Sequence, residues 1–156
     1  MTDARQDNAG VIAFPPLILA CYVVVGGAAH WLHPIPLLPM LPARVLGIVL
    51  LVAAGAQSLW AARTMKRAGT NVNPGLPATT IVAAGPYTYT RNPMYLSLCM
   101  VFTGLGLLAN GLLPLLLLPL LALTLHCGVI KREERYLAAK FGASYLDYQR
   151  RVRRWI

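Results

Sequence analysis

The sequence predicts an all-α, multi-pass membrane protein of about four transmembrane helices followed by a C-terminal amphipathic cytoplasmic helix. Three observations carry that expectation. Of the 156 residues, 57% are hydrophobic and only 12% are charged, with a mean hydropathy of +0.58; this is too apolar for an ordinary soluble domain and too short for two domains. Four apolar windows, residues 11–31, 45–62, 94–109 and 112–130, each approach the roughly 20 residues that a helix needs to cross a bilayer. Basic residues, finally, are distributed unevenly around those windows. One domain over residues 1–156 is expected, with its motif-bearing region at 79–156.

Residues 1–10 are polar and of mixed charge, unlike the basic start of a cleaved signal peptide, so the first window reads as a retained helix. His33-Pro34-Ile35-Pro36, Pro39 and Pro42 then make a stiff link that cannot continue a helix. Residues 62–85 form the one long connection, with turns forced by Asn73-Pro74-Gly75 and Pro77, and they are numerous enough to fold over the membrane face. The third window is the shortest. Asn110-Gly111 suits a chain reversal and predicts an antiparallel hairpin of the third and fourth windows, the fourth bent by Pro114 and Pro119. Beyond residue 130, Leu137, Phe141, Tyr145, Tyr148, Val152 and Trp155 recur at helical intervals as one apolar stripe, which Gly142 is placed to break. Such a helix is expected to lie in the interface or to pack on the long connection.

The net charge of +9 has a side. Arg63, Lys66, Arg67 and Arg91 fall between the second and third windows, and Lys131, Arg132, Arg135, Lys140, Arg150, Arg151, Arg153 and Arg154 follow the fourth. With four spans these residues and Arg5 share one face, and Arg44 falls on the other, so the positive-inside rule predicts both termini in the cytoplasm. A basic tail beside a membrane meets anionic headgroups, at about 1 kcal/mol of attraction per residue, and membrane lipids rather than nucleic acid are the expected partners. Cys21, Cys99 and Cys127 are odd in number and lie inside apolar windows, which excludes a disulfide framework or a zinc spacing. His30 and His33 lack a nearby third ligand, so no metal site is expected.

Polar chemistry concentrates in Gly85-Pro86-Tyr87-Thr88-Tyr89-Thr90-Arg91-Asn92-Pro93-Met94-Tyr95, just before the third window, and in Glu133-Glu134, just after the fourth. Arg91-Asn92-Pro93 reads two ways. Asn as a cap and Pro at the first helical position simply start a helix, with Arg91 reaching for headgroups. The same geometry, with free N–H groups beside an arginine, makes a site for a carboxylate or phosphate. Tyr87 and Tyr95 belong either to an interfacial aromatic belt or to a cleft that flanks adenine and cups a cation such as a sulfonium, a contact worth roughly 0.5 to 2 kcal/mol. Glu133 and Glu134, the only glutamates, are either a solvated acidic spot paired with Lys131 and Arg135, or carboxylates that the hairpin brings near Arg91.

Gly85-x-Tyr87 with Arg91-Asn92-Pro93-x-Tyr95, then Glu133-Glu134-x-x-Leu137-x-x-x-Phe141-Gly142-x-x-Tyr145-x-x-Tyr148 and Val152, resembles the isoprenylcysteine carboxyl methyltransferase and phospholipid methyltransferase superfamily of membrane proteins. The match runs over residues 82–155. The resemblance implies an S-adenosylmethionine-dependent methyltransferase, with the cofactor bound on the cytosolic side between the last hairpin and the C-terminal segment. It implies that Val82, Gly85, Tyr87, Asn92, Pro93 and Tyr95 line the cofactor pocket, that Glu133 contacts the cofactor, and that Arg91 and Glu134 are the catalytic candidates. The implied acceptor is a lipophilic or lipid-linked small molecule: an isoprenylcysteine-like carboxylate, a phospholipid amine or a thiol. Many relatives carry histidine at the positions of Asn92 and Thr79, and the prenylcysteine enzymes carry a substrate arginine at the position of Val129. Two other readings stand beside this one. The C-terminal pattern is also similar to that of NADPH-dependent membrane sterol reductases, and a non-enzymatic membrane interaction protein would use the same residues as helix start and surface.

Overall fold

The computed structural model describes residues 7–156, and every regular element among them is helical. The main helices are α1 (Pro15–Leu32), α2 (Met40–Arg67), α3 (Pro93–Leu108), α4 (Leu112–Leu116), α5 (Leu118–Leu125), α6 (Lys131–Phe141) and α7 (Ala143–Arg151). A π-helical turn, His126–Ile130, joins α5 to α6, and a 3₁₀ turn, Gly85–Thr88, precedes α3. Helices α1 and α2 and the run Leu112–Phe141 are long and apolar enough to cross a membrane, and α3 is a shorter apolar helix of 16 residues. The last of these runs has 30 residues. At 1.5 Å per residue it outruns a hydrocarbon core of about 30 Å by roughly ten residues. The charged run beginning at Lys131 marks α6 as the end that protrudes. This is an integral membrane protein of helical hairpins. Arg5, which entered the charge asymmetry, lies outside the described residues.

Helix α2 extends beyond its apolar window at both ends, where Arg44, Arg63, Lys66 and Arg67 have stems long enough to carry their charges to water. Pro42, expected in the link, sits instead in the first turn of α2, where its missing N–H has no intrahelical partner to lose. Small residues set the crossing of α2 and α3: a Cβ on Gly47 would stand 2.8 Å from the Gly104 carbonyl oxygen. The core lies on the other side of α3, where Ile18, Tyr95, Phe102, Leu121, Leu125, Val129 and Ile130 pack together. Large apolar side chains such as Val24, Val49, Val52, Leu120 and Leu123 point outward, as a lipid-facing surface requires.

The predicted hairpin is present. Asn110 takes φ +51° at the reversal, and its side chain accepts from the N–H groups of Leu37 and Leu38 and donates to the Leu38 carbonyl, stitching the turn to the α1–α2 link. Between Pro114 and Pro119, where a bend was expected, Leu117 interrupts the fourth span and separates α4 from α5.

The C-terminal stripe forms two helices rather than one, broken at Gly142 (φ +55°) as its position suggested. Two features differ from expectation. Helix α6 continues the fourth span instead of lying flat, and Val152 is extended (φ −120°, ψ 132°), so Val152 and Trp155 belong to a tail. Hydrogen bonds to the chain before α3 impose that change. The Arg91 N–H donates to the Arg153 carbonyl (2.9 Å), and Asn92 Nδ2 (2.8 Å) and Thr90 Oγ1 (3.2 Å) donate to that of Arg154.

At the other end, residues 7–14 run along the π turn and α6. The Ile12 N–H donates to the Gly128 carbonyl, Arg132 donates to the Gly10 carbonyl, and a side chain on Gly128 would overlap Ile12.

Candidate active site

The hairpin, the 3₁₀ turn and the tail converge where α3 begins and α6 emerges. Pro93 starts α3 at its first position, and Asn92 precedes it with φ −128° and ψ 50°. Asn92 holds the capping position, but its amide is directed to the tail and makes no cap bond. The backbone of residues 90–92 thus fixes two things at once, the start of α3 and the path of residues 152–154.

Glu134 lies 7% exposed beneath that crossing. Its carboxylate accepts from Arg154 Nε at 2.9 Å and Nη2 at 2.6 Å, and Arg91 Nη2 stands 3.2 Å away. Its partners are therefore Arg91 and Arg154 rather than Lys131 and Arg135, and Arg135 bonds the Lys131 carbonyl. A carboxylate held by two guanidiniums is suited to bracing them. The bond to Glu134 in turn raises the pKa of Arg154.

Glu133, one residue earlier, faces the other way. Tyr95 Oη donates to Glu133 Oε1 at 2.7 Å. Burial pushes the Glu133 carboxyl up to about 7, with the Tyr95 bond opposing and the Glu134 charge adding to the rise. Burial likewise raises the phenol of Tyr87, and that of Tyr148, whose hydroxyl donates to the Tyr87 carbonyl, is pushed up to about 12. These rings are neutral at physiological pH.

Two adjoining chambers of about 130 Å³ and 100 Å³ share Met65, Ala78, Tyr87, Arg91, Asn92 and Glu133. Pro93 and Tyr95 line the first, and Val82, Glu134, Tyr145 and Tyr148 line the second. Eight of the nine predicted site residues therefore come together. Gly85 does not: it packs against Thr64 and Trp60 of α2, where a Cβ would stand 2.8 Å from Thr64 Oγ1, and its φ of +56° suits glycine. Thr79 is spent on the long connection, with Oγ1 donating to the Gly69 carbonyl at 2.7 Å.

A third cavity of about 270 Å³, lined by Phe14, Pro16, Ser58, Met94, Tyr95 and Leu98 among others, shares Val72, Asn73, Pro74, Met94 and Tyr95 with the first chamber. It lies among the starts of α1 and α3, α2 and the long connection, and its lining carries no charged side chain.

Sequence reasoning missed Arg154 and Tyr136. Tyr136 lines the first chamber, and its hydroxyl donates to Asp7 and accepts from the Ala78 N–H, joining the N-terminal segment to the long connection. Neither residue belongs to the apolar stripe, and no local spacing marks them.

A buried carboxyl, a buried guanidinium and neutral aromatic rings around joined chambers suit a small ligand that carries both signs of charge and a flat ring. Over 78 residues the chain is 32% identical to the cobalt-zinc-cadmium resistance protein CzcN of Cupriavidus metallidurans, covering 50% of this chain and 36% of that protein. Over 63 residues it is 38% identical to an uncharacterized protein of Haemophilus influenzae, covering 40% of this chain and all of that protein. The chain thus spans about a third of the length of CzcN. The family model described as phospholipid methyltransferase matches residues 42–144, from α2 through the chambers and into α7, and the chain belongs to that family.

Proposed function

We propose that the protein is an S-adenosylmethionine-dependent methyltransferase, a single domain over residues 1–156, that modifies a lipophilic acceptor at the cytoplasmic face, with both termini on that side. The observation that carries this reading is the composition of the two chambers. They combine a half-buried carboxyl, Glu133, with the rings of Tyr87, Tyr95, Tyr145 and Tyr148, and among the described residues Arg91 is the one basic side chain that lines them. A sulfonium nucleoside asks for that set. NADPH, with its several phosphates, asks for more convergent positive charge than one arginine, which disfavours the reductase reading.

S-adenosylmethionine, when bound, would supply an electrophilic methyl group to the acceptor's lone pair, with the neutral thioether as leaving group. The chain's residues hold and align the reactants. Val82, Tyr87, Asn92, Pro93 and Tyr95 shape the cofactor chamber, with Gly85 acting from behind as the turn that lets the 3₁₀ segment close on α2. Glu133, which lines both chambers, would meet the positive charge of a bound cofactor. Glu134 acts through Arg91, as a positioning residue. The acceptor's apolar chain enters through the uncharged cavity, so its reactive atom arrives beside Tyr95 with water excluded.

An acceptor carboxylate or thiolate places no further demand on the site. An amine must lose a proton, and it would have to share Glu133 with the cofactor's cation, since Glu134 is held by its arginines.

Calorimetry with detergent-purified protein tests the reading. Saturable S-adenosylmethionine binding that NADPH does not displace supports it, and transfer of labelled methyl to amine, carboxylate and thiol lipids then identifies the acceptor. A folded sample that binds neither cofactor leaves the membrane interaction protein, and one that binds only NADPH leaves the reductase.

A further inference from the structure

We infer that Arg132 and Arg135 form a headgroup site for one anionic phospholipid, in the groove between α6 and the N-terminal segment. The inference is independent of the cofactor reading: the groove lies outside the two chambers, behind Ala9 and Tyr136, which line both it and the first of them.

The groove has a volume of about 930 Å³ and is lined by Asp7, Gly10, Arg132, Arg135, Tyr136 and Lys140 among others. Each arginine is anchored by one hydrogen bond to a backbone carbonyl: Arg132 Nη1 donates to that of Gly10 at 2.8 Å, and Arg135 Nε donates to that of Lys131 at 3.3 Å. Those bonds leave a different edge open on each guanidinium, Nε/Nη2 of Arg132 and Nη1/Nη2 of Arg135, and among the described residues neither edge meets an acceptor. Such an edge offers two parallel N–H donors to the oxygens of a phosphate.

Charge points the same way. Lys140 has its counter-charge in Asp7 at 2.6 Å, whereas among the described residues no carboxylate pairs with Arg132 or Arg135. The two arginines stand three residues apart on α6, where like charges repel, and a phosphate between them would relieve that repulsion. Height selects a lipid over a free anion. With Lys131 at the hydrocarbon boundary, Arg132 and Arg135 rise about 1.5 Å and 6 Å beyond it, inside a headgroup layer roughly 5 to 8 Å deep. Towards the bilayer the N-terminal segment continues from Gly10 to Ile12, which lies against Gly128 and is 54% exposed, an apolar wall for an acyl chain. A zwitterionic headgroup would bring a further cation into a groove already lined by Arg132, Arg135 and Lys140, so the ligand carries net negative charge. Phosphatidylglycerol represents that class. Its headgroup has no amine, thiol or carboxylate, which makes it a ligand here and not a methyl acceptor.

Titration of detergent-purified protein with a fluorescent phosphatidylglycerol, followed by anisotropy, tests the site. One saturable site is expected, from which unlabelled phosphatidylglycerol displaces the probe and phosphatidylcholine or glycerol 3-phosphate at the same concentration does not. Arg132→Gln and Arg135→Gln should each weaken binding roughly five- to tenfold. Arg150→Gln combined with Arg151→Gln removes two positive charges from the exposed end of α7 and should leave affinity within about twofold. Arg135→Lys, which keeps the charge without the fork, should retain part of the affinity and serves if a glutamine variant does not fold. An equal loss in the Arg150 and Arg151 double variant would mean diffuse attraction to a basic surface and overturns the inference. So does wild-type affinity in folded Arg132→Gln and Arg135→Gln, or the lack of a saturable site in the wild type. Displacement by glycerol 3-phosphate as effective as that by the lipid would make this a site for soluble phosphate and overturns the lipid assignment.

Discussion

The carboxylate of Glu134 grips the Arg154 guanidinium with both oxygens, at 2.9 Å to Nε and 2.6 Å to Nη2. This pair ties the extended tail under the start of α3, next to the chambers. Arg154 is one-third exposed, whereas Arg91, on the same carboxylate, is 9% exposed, so loss of the Glu134 charge costs on the order of 3 kcal/mol mainly through the buried Arg91 left uncompensated. Glu134→Gln strands two guanidiniums, whereas Arg154→Met leaves Glu134 still beside Arg91. Thermal unfolding in detergent should therefore show the larger loss for Glu134→Gln, and the double variant should fall short of the sum. Wild-type stability in Glu134→Gln would remove the brace from the account.

The crossing of α2 and α3 makes a sharper steric prediction. A Cβ on Gly47 meets backbone, the Gly104 carbonyl oxygen at 2.8 Å and the Leu108 nitrogen at 3.0 Å, so the helices must separate. Gly47→Ala should cost roughly 1 to 3 kcal/mol in unfolding free energy. Gly55 lies in the same helix with nothing within 4 Å of its Cβ position, and Gly55→Ala should be neutral or slightly stabilising. Equal effects at the two positions would mean that the crossing is not tight.

Those glycines show what the sequence could and could not disclose. Four apolar windows, the Asn110 reversal and the Gly142 break are local signals, and each appears where its residues lie. The Gly85–Tyr95 stretch and the glutamate pair were legible because polar residues at the edge of apolar spans are few. The roles within the pair were not legible. Glu133 and Glu134 are neighbours in sequence, yet Glu133 faces Tyr95 and Glu134 faces Arg91 and Arg154, and that difference is created by the tail folding back. The stripe at Val152 and Trp155 misled for the same reason: hydrogen bonds from residues 90–92 outweigh helical periodicity there.

Tyr136 offers a prediction about motion. Its hydroxyl donates to Asp7 Oδ1 at 2.7 Å and accepts from the Ala78 N–H at 3.1 Å, so it joins two segments that roof the first chamber. Lys140 also bonds Asp7, but their side chains are 28% and 54% exposed, and such ion pairs contribute about 0 to 1 kcal/mol. Tyr136→Phe should speed hydrogen exchange at the Ala78 amide several-fold, while Lys140→Met should leave that amide at its wild-type rate. Unchanged exchange in Tyr136→Phe would show that the roof is held elsewhere.

Glu133 links stability and binding to pH. Its carboxyl is raised from an ordinary 4.5 to about 7, so the folded protein binds this proton more tightly than the unfolded chain. The stability it contributes is complete below about pH 4.5 and is lost as pH rises through about 7. Asp7 acts in the opposite sense, its carboxyl depressed below 3.8 by Lys140 and Tyr136, so its contribution changes only at lower pH. The stability difference between wild type and Glu133→Gln, which mimics the protonated side chain, should therefore widen between pH 4.5 and 7 and level off above. Ionised Glu133 is also the form that attracts a cation. S-adenosylmethionine affinity should rise between pH 6 and 8, and binding near pH 6.5 should release protons, read as a heat that depends on the buffer's ionisation enthalpy. Glu133→Gln removes the contribution from this carboxyl. The same buffer-dependent heat in wild type and variant would show that Glu133 does not meet the cofactor's positive charge, leaving its raised pKa a consequence of packing alone.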